Sequence, residues 1–111
     1  MTRSPLLESD QALRQIVDRL IPVFQPVKIY LFGSRARGDS GPDSDYDIMM
    51  LINKADLPKY KLAQQAQRAL WGLVVGADVL VLTLGEFEEA STVVCSLSST
   101  VLREGKELYA A

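Results

Sequence analysis

Leu31-Phe-Gly-Ser-Arg-Ala-Arg-Gly-Asp-Ser-Gly-Pro-Asp-Ser-Asp-Tyr-Asp-Ile-Met-Met50 joins two apolar segments through a loop of small and acidic residues. Residues 27–32 read as a buried strand, Gly33-Ser34 as a turn, and residues 46–52 as a second strand, from their β-branched and aromatic content and the breakers around them. Side chains two apart on a strand share a face at roughly 6–7 Å. Asp45 and Asp47 therefore point the same way and can converge on one divalent cation. The turn suits the opposite charge: glycine admits a close ligand, Ser34 offers a hydroxyl and an amide, and amides at a helix start form an anion-binding concavity. Arg35 and Arg37 add permanent cations whose planar heads match phosphate oxygens. A helix through 34–38 aims the two in different directions.

Working outward, Leu13, Ile16, Val17, Leu20 and Ile21 repeat at helical spacing. They predict an amphipathic helix starting at Ser4-Pro5 or Ser9-Asp10 and stopped by Pro22 and Pro26. A second helix is expected from Asp56-Leu-Pro58, with Asp56 as cap, to Gly72. Residues 77–82 form an apolar run broken only by Asp78, which reads as a buried third strand. There an ionised carboxylate is costly unless paired or metal-bound. Thr83-Leu-Gly-Glu86 has the form of a capping box; residues 91–103 predict another helix, ended by Gly105 and followed by a short strand.

This order implies an α/β (α+β) layer: a small mixed sheet of three to four strands packed with helices on one side. The first two strands are joined by a short loop and run antiparallel; the third, reached through a helix, lies parallel to the second, which takes the middle. Trp71 is expected in the core, Tyr30, Tyr60 and Tyr109 in packing, and Arg14, Arg19, Lys59, Lys61 and Arg68 on solvated faces. The stretch 91–100 reads as a core-facing helix, with a partner surface as the alternative.

Composition narrows the chemistry. The 111 residues are 48% hydrophobic and 23% charged, which suits one compact domain over 1–111. The net charge of −2 argues against gripping a nucleic-acid backbone. No apolar run is long enough for a membrane span and the first residues lack a signal-peptide layout, so a cytoplasmic location is expected. There is no histidine, which removes a His base or a His-ligated zinc, and the single Cys95 reads as a packed thiol. Carboxylates must carry the chemistry, and all-oxygen ligands select Mg²⁺, with Mn²⁺ as a substitute.

Two motif matches fail on chemistry. Gly33 to Gly38 has the glycine spacing of a phosphate-binding P-loop, but Asp39 stands where that loop needs lysine. Asp43-x-Asp45-x-Asp47 opens like an EF-hand, yet Ile48 replaces the turn glycine and Lys54 the bidentate glutamate.

Gly33-Ser34, ten intervening residues, then Asp45-Tyr46-Asp47 resembles the signature of the polymerase-beta-like nucleotidyltransferase superfamily, and the short chain is similar to its minimal nucleotidyltransferase branch. The resemblance implies a nucleotidyltransferase fold and a third carboxylate on a later strand, a place that Asp78 matches. It further implies catalytic and metal-binding roles for Asp45, Asp47 and Asp78 around two Mg²⁺ ions, with ATP as substrate on Gly33, Ser34 and one of Arg35 and Arg37. Members of that branch are antitoxins that move AMP onto a tyrosine of a HEPN-domain toxin, so a partner protein of that kind is implied here. Two alternatives stand beside it: a binding module that neutralises a partner or senses nucleotide without catalysis, and a nucleotidyltransferase acting on a small molecule or RNA.

Overall fold

The computed structural model describes residues 2–38, 41, 45–73, 75–93 and 96–111. In chain order the elements are β1 (Thr2–Arg3), α1 (Leu6–Ser9), α2 (Gln11–Phe24), β2 (Lys28–Phe32), α3 (Ser34–Arg37), β3 (Tyr46–Ile52), α4 (Lys59–Ala69), β4 (Ala77–Thr83), α5 (Leu84–Ser91), α6 (Leu97–Glu104) and β5 (Lys106–Ala110). They build a five-stranded sheet in the order β1-β5-β2-β3-β4. β2 runs antiparallel to β3, and β3 parallel to β4, as the loop lengths require. The expected three to four strands fall short because the chain end returns as β5 beside β2, and the two-residue β1 pairs with β5.

Helices cover both faces of the sheet, not one. Ile29, Leu31, Ile48, Met50, Val79 and Val81 pack under α2 and α4. The alternate residues Tyr30, Met49 and Leu51 pack against Phe87 of α5 and Val101 of α6. With apolar residues at both parities, β3 needs cover on each side. Ile48, Met49, Met50 and Leu51 are fully buried, and truncating such a side chain to alanine costs roughly 2–5 kcal/mol.

Several local expectations change. Pro22 lies inside α2, where it forfeits one backbone bond near the helix end; the helix stops at Gln25, which takes the left-handed conformation at φ 48°. The Ser4-Pro5 and Ser9-Asp10 starts are both used, by α1 and α2 in turn, and Asp10 accepts the amide of Leu13 at 3.1 Å. Asp56 caps nothing; α4 begins after Pro58, whose fixed φ suits a helix entry. The helix expected over 91–103 is divided, because Ser96 accepts the amide of Ser99 and starts α6 afresh. β4 is an edge strand, not a buried one, with Asp78 and Leu80 exposed. Trp71 is 84% exposed, because α4 ends at Ala69 and the chain turns outward through Gly72. Tyr60 is exposed on the outer face of α4, whereas Tyr30 and Tyr109 are buried as expected. Arg19 reaches the Trp71 carbonyl at 2.6 Å, so it is more than a solvated charge. Cys95, Asp39 and Asp43 lie outside the described residues. No described helix is long and apolar enough to cross a membrane.

The capping box at the head of α5 is present on both sides: Glu86 donates its amide to Thr83 Oγ1 and its carboxylate accepts the Thr83 amide. Lys59 also donates to that carboxylate, and these contacts hold it down at about 2, against an ordinary value of 4.5. A depressed carboxyl contributes stability above its unfolded value that is lost as pH falls toward the folded one. Thermal melting of Glu86→Gln against the parent is therefore expected to show a deficit at pH 5 that shrinks steadily between 4.5 and about 2. A deficit constant with pH would remove the charge from this cap.

Candidate active site

The register of three strands aligns the acidic pair with its neighbours. Phe32 of β2 pairs with Asp47 of β3, and Asp47 pairs with Asp78 of β4. Alternation puts Asp45, Asp47 and Asp78 on the sheet face that carries α5 and α6, beyond the end of the apolar cluster there. Gly33, one residue past Phe32, has φ 75° and ψ −157°, and a methyl on its Cα would collide with Asp47 Oδ2. The turn and the acid thus approach through the space that glycine leaves open.

Electrostatics agree with the placement. The Asp47 carboxyl is pushed above its ordinary value by burial first, then by the charges of Asp78 and Asp45, with Arg37 opposing. Mutual repulsion is the behaviour of acids that share a small region, and a cation relieves it. Among the described residues no group of three acids is arranged to hold a metal ion. The donor set is all oxygen and anionic, which fits a hard divalent ion.

Asp78 is exposed, so the desolvation argument for it fails: a lone carboxylate on this surface costs little. What singles it out is its partnership with Asp47.

The two arginines part company. α3 is one turn long and sends Arg35 over the Tyr46 ring, with the guanidinium carbon 4.0 Å from the ring centroid. Tyr46 is buried on the α2 side and donates its hydroxyl to Asp10, at 3.0 Å from Oδ1 and 2.9 Å from Oδ2. Burial, then the Asp10 hydrogen bond and charge, raise the Tyr46 hydroxyl above its ordinary value. Arg37, from the same turn, is close enough to pull the Asp47 value down. A cation over an aromatic face contributes about 0.5–1 kcal/mol. Arg35→Ala is therefore expected to lower the melting temperature by about 2–6 °C while leaving the KM for nucleotide near the parent's. Arg37→Ala is expected to raise that KM. Melting curves and nucleotide titrations of both variants check it, and interchanged outcomes would reverse the assignment.

Two residues escaped the sequence reading. The Gly76 carbonyl accepts the Tyr46 amide at 3.0 Å, and Gly76 stands against Asp45, which a methyl there would strike at Oδ1. Its signal is only that it precedes Asp78 by two, and the register that gives this meaning is tertiary. Asp10 looks like a helix cap alone, and its second role toward Tyr46 spans 36 residues.

A strand, a Gly-Ser turn, two acids on the next strand and a third on its parallel neighbour make up the candidate site. The model of the nucleotidyltransferase domain matches residues 11–107, and the chain belongs to that family of enzymes. Among solved structures, a nucleotidyltransferase from Sulfolobus solfataricus is 22% identical over 90% of this chain and 78% of its own, with a TM-score of 0.64, and shares the fold. A toxin-antitoxin solved with AMP-PNP is 29% identical over 88% of this chain and 73% of its own, with a TM-score of 0.54. A tyrosine-to-alanine variant of the toxin-antitoxin MntA-HpeT is 28% identical over 91% and 72%, with a TM-score of 0.50. These likenesses agree with the minimal nucleotidyltransferase branch. No curated protein matches the sequence significantly.

Proposed function

We propose that residues 1–111 act as one minimal nucleotidyltransferase domain, located in the cytoplasm, that moves AMP from ATP to a tyrosine hydroxyl of a partner HEPN-domain toxin and thereby serves as its antitoxin. The observation that carries the reading is the three-strand row from Phe32 and Gly33 through Asp47 to Asp78. The likeness to a toxin-antitoxin solved with AMP-PNP supports the nucleotide and the kind of partner.

Gly33 and Ser34 would cradle the β and γ phosphates, and Arg37 would neutralise them from the same turn. Asp45, Asp47 and Asp78 would hold Mg²⁺, which supplies a charge clamp on the entering and leaving oxygens when bound. The acceptor oxygen bonds to the α-phosphorus as the bond from that phosphorus to the α,β-bridging oxygen breaks, and pyrophosphate departs. The hydroxyl proton passes to Asp78 or to water. The acids align the α-phosphate with the acceptor, the positioning on which phosphoryl-type transfer chiefly depends.

Incubation with ATP labelled at the α-phosphate, Mg²⁺ and the partner is expected to add AMP to a partner tyrosine, read by mass spectrometry of its peptides. Labelling confined to a small molecule or RNA would reject the protein acceptor. An Asp45→Asn, Asp47→Asn double variant that still neutralises the toxin would favour binding over catalysis.

A further inference from the structure

The β4 edge carries an apolar row that is only partly covered among the described residues. β4 ends the sheet, and Asp78, Leu80 and Leu82 follow one another on the face that also bears Asp45 and Asp47. Leu80 is 42% exposed. Where α5 meets this row, Leu82, Ala90 and Val93 line an open groove together with Glu86 and Glu89, and Val93 is 57% exposed. Single exposed leucines are ordinary, but a contiguous set beside a reaction centre marks a contact surface.

In-line transfer says which side the acceptor comes from. Gly33 lies on the β2 side of Asp47 and Asp78 on the β4 side. With pyrophosphate leaving over Gly33 and Ser34, the attacking oxygen must enter opposite, past Asp78. The body of an acceptor protein entering there lies along the β4 edge, beside this row.

We propose that Leu80, Leu82, Ala90 and Val93 form the docking surface for the acceptor protein, which seats an apolar segment there and sets a lysine or arginine against Glu89. The inference rests on the nucleotidyl-transfer reading and adds to it the surface that selects the acceptor. Charge chooses the occupant. Glu86 is already paired with Lys59, so Glu89 sets the charge of the groove; a second copy of this chain would bring two such acids together, whereas a basic residue on the acceptor complements Glu89.

The test uses the purified product of the neighbouring gene as acceptor and a Leu80→Glu, Val93→Glu double variant, with Val23→Glu on α2 as the control for an exposed apolar site elsewhere. Transfer of labelled AMP to the acceptor is expected to fall roughly tenfold or more through its KM, since truncated or reversed contact residues act on association. The KM for ATP and the melting temperature should stay at the parent's values, and Val23→Glu should behave as the parent. Undiminished transfer by the double variant, or equal loss in the control, would overturn the surface. A photo-crosslinking residue at position 93 separates the two readings. An adduct with the acceptor but no AMP transfer by the parent sinks the catalytic reading and keeps the surface, whereas an adduct with a second copy, or none, sinks the surface.

Discussion

Replacing Asp47 with asparagine is expected to remove AMP transfer and, in the same protein, to raise the melting temperature of the metal-free chain. The two effects share one cause. Asp47 stands between Asp78 on its own register line and Asp45 two residues earlier, and burial together with their charges lifts its carboxyl above the ordinary 3.8. A raised acid binds its proton more tightly in the folded chain than in the unfolded one. Below 3.8 the group is protonated in both states and costs nothing. As pH rises through the window between 3.8 and the raised folded value, the unfolded chain loses the proton first, stability falls, and the full penalty is present at neutral pH. Asparagine carries no such penalty. In chelator, the variant should therefore melt above the parent at pH 7, with the gap closing toward pH 4. Addition of Mg²⁺ should raise the melting temperature of the parent, since a ligand of the native state stabilises it, and do little for the variant. Activity should drop on the order of 10³-fold, the scale of a lost metal-centred stabilisation. Coincident melting of the two proteins at pH 7 in chelator, or transfer retained by the variant, would break the link between strain and chemistry. Sites that concentrate charge for function commonly give up stability in this way.

The strands and the acids were legible because both are written in local pattern. β-branched and aromatic content and flanking breakers mark β2 and β3, and the spacing of Gly33-Ser34 from Asp45 and Asp47 is carried in one short segment. Helix ends were less legible where two local signals compete. Pro22 reads as a stop, yet a proline near the last turn removes a single backbone bond and the helix runs on to Gln25. Ser96 reads as one more residue of an apolar helix until its hydroxyl is seen to accept the Ser99 amide. Edge and centre could not be told apart. The run 77–82 is as apolar as a buried strand, and only the sheet order shows that β4 has a neighbour on one side alone. That is why Asp78 looked like a buried charge needing a partner and stands instead on open surface, its place set by register. Trp71 misled for a related reason: helical spacing put it at the end of α4, while the turn through Gly72 carries it outward. The split between Arg35 and Arg37 was partly visible, since one helical turn aims them apart; that Arg35 rests on Tyr46 required the fold.

Alanine at Gly33 is expected to damage fold and activity together, and two other glycines show why. Gly33 combines φ 75° with ψ −157°, a region open almost only to glycine, where a side chain costs about 1–3 kcal/mol. The added methyl would also strike Asp47, meeting Oδ2 and standing 3.1 Å from Cγ and 3.3 Å from Cβ. Rotating the Asp47 side chain moves the oxygen away and leaves Cβ where it is, so the Phe32–Asp47 pair must also yield by a few tenths of an ångström. Gly38 also has a positive φ, of 82°, but a methyl there meets nothing within 4 Å among the described residues. Gly38→Ala should bear the left-handed backbone cost alone, about 1–2 kcal/mol, and keep its rate. Gly76 has no positive φ, and its methyl would strike the end of the exposed Asp45, which can swing away. Gly76→Ala should melt with the parent and lose rate. Melting temperature is thus expected to descend from Gly76→Ala through Gly38→Ala to Gly33→Ala, while transfer survives only in Gly38→Ala. Melting scans and labelled-ATP assays on the three proteins separate backbone strain from displacement of an acid. Normal transfer by Gly33→Ala would mean that the turn and Asp47 do not work as one site.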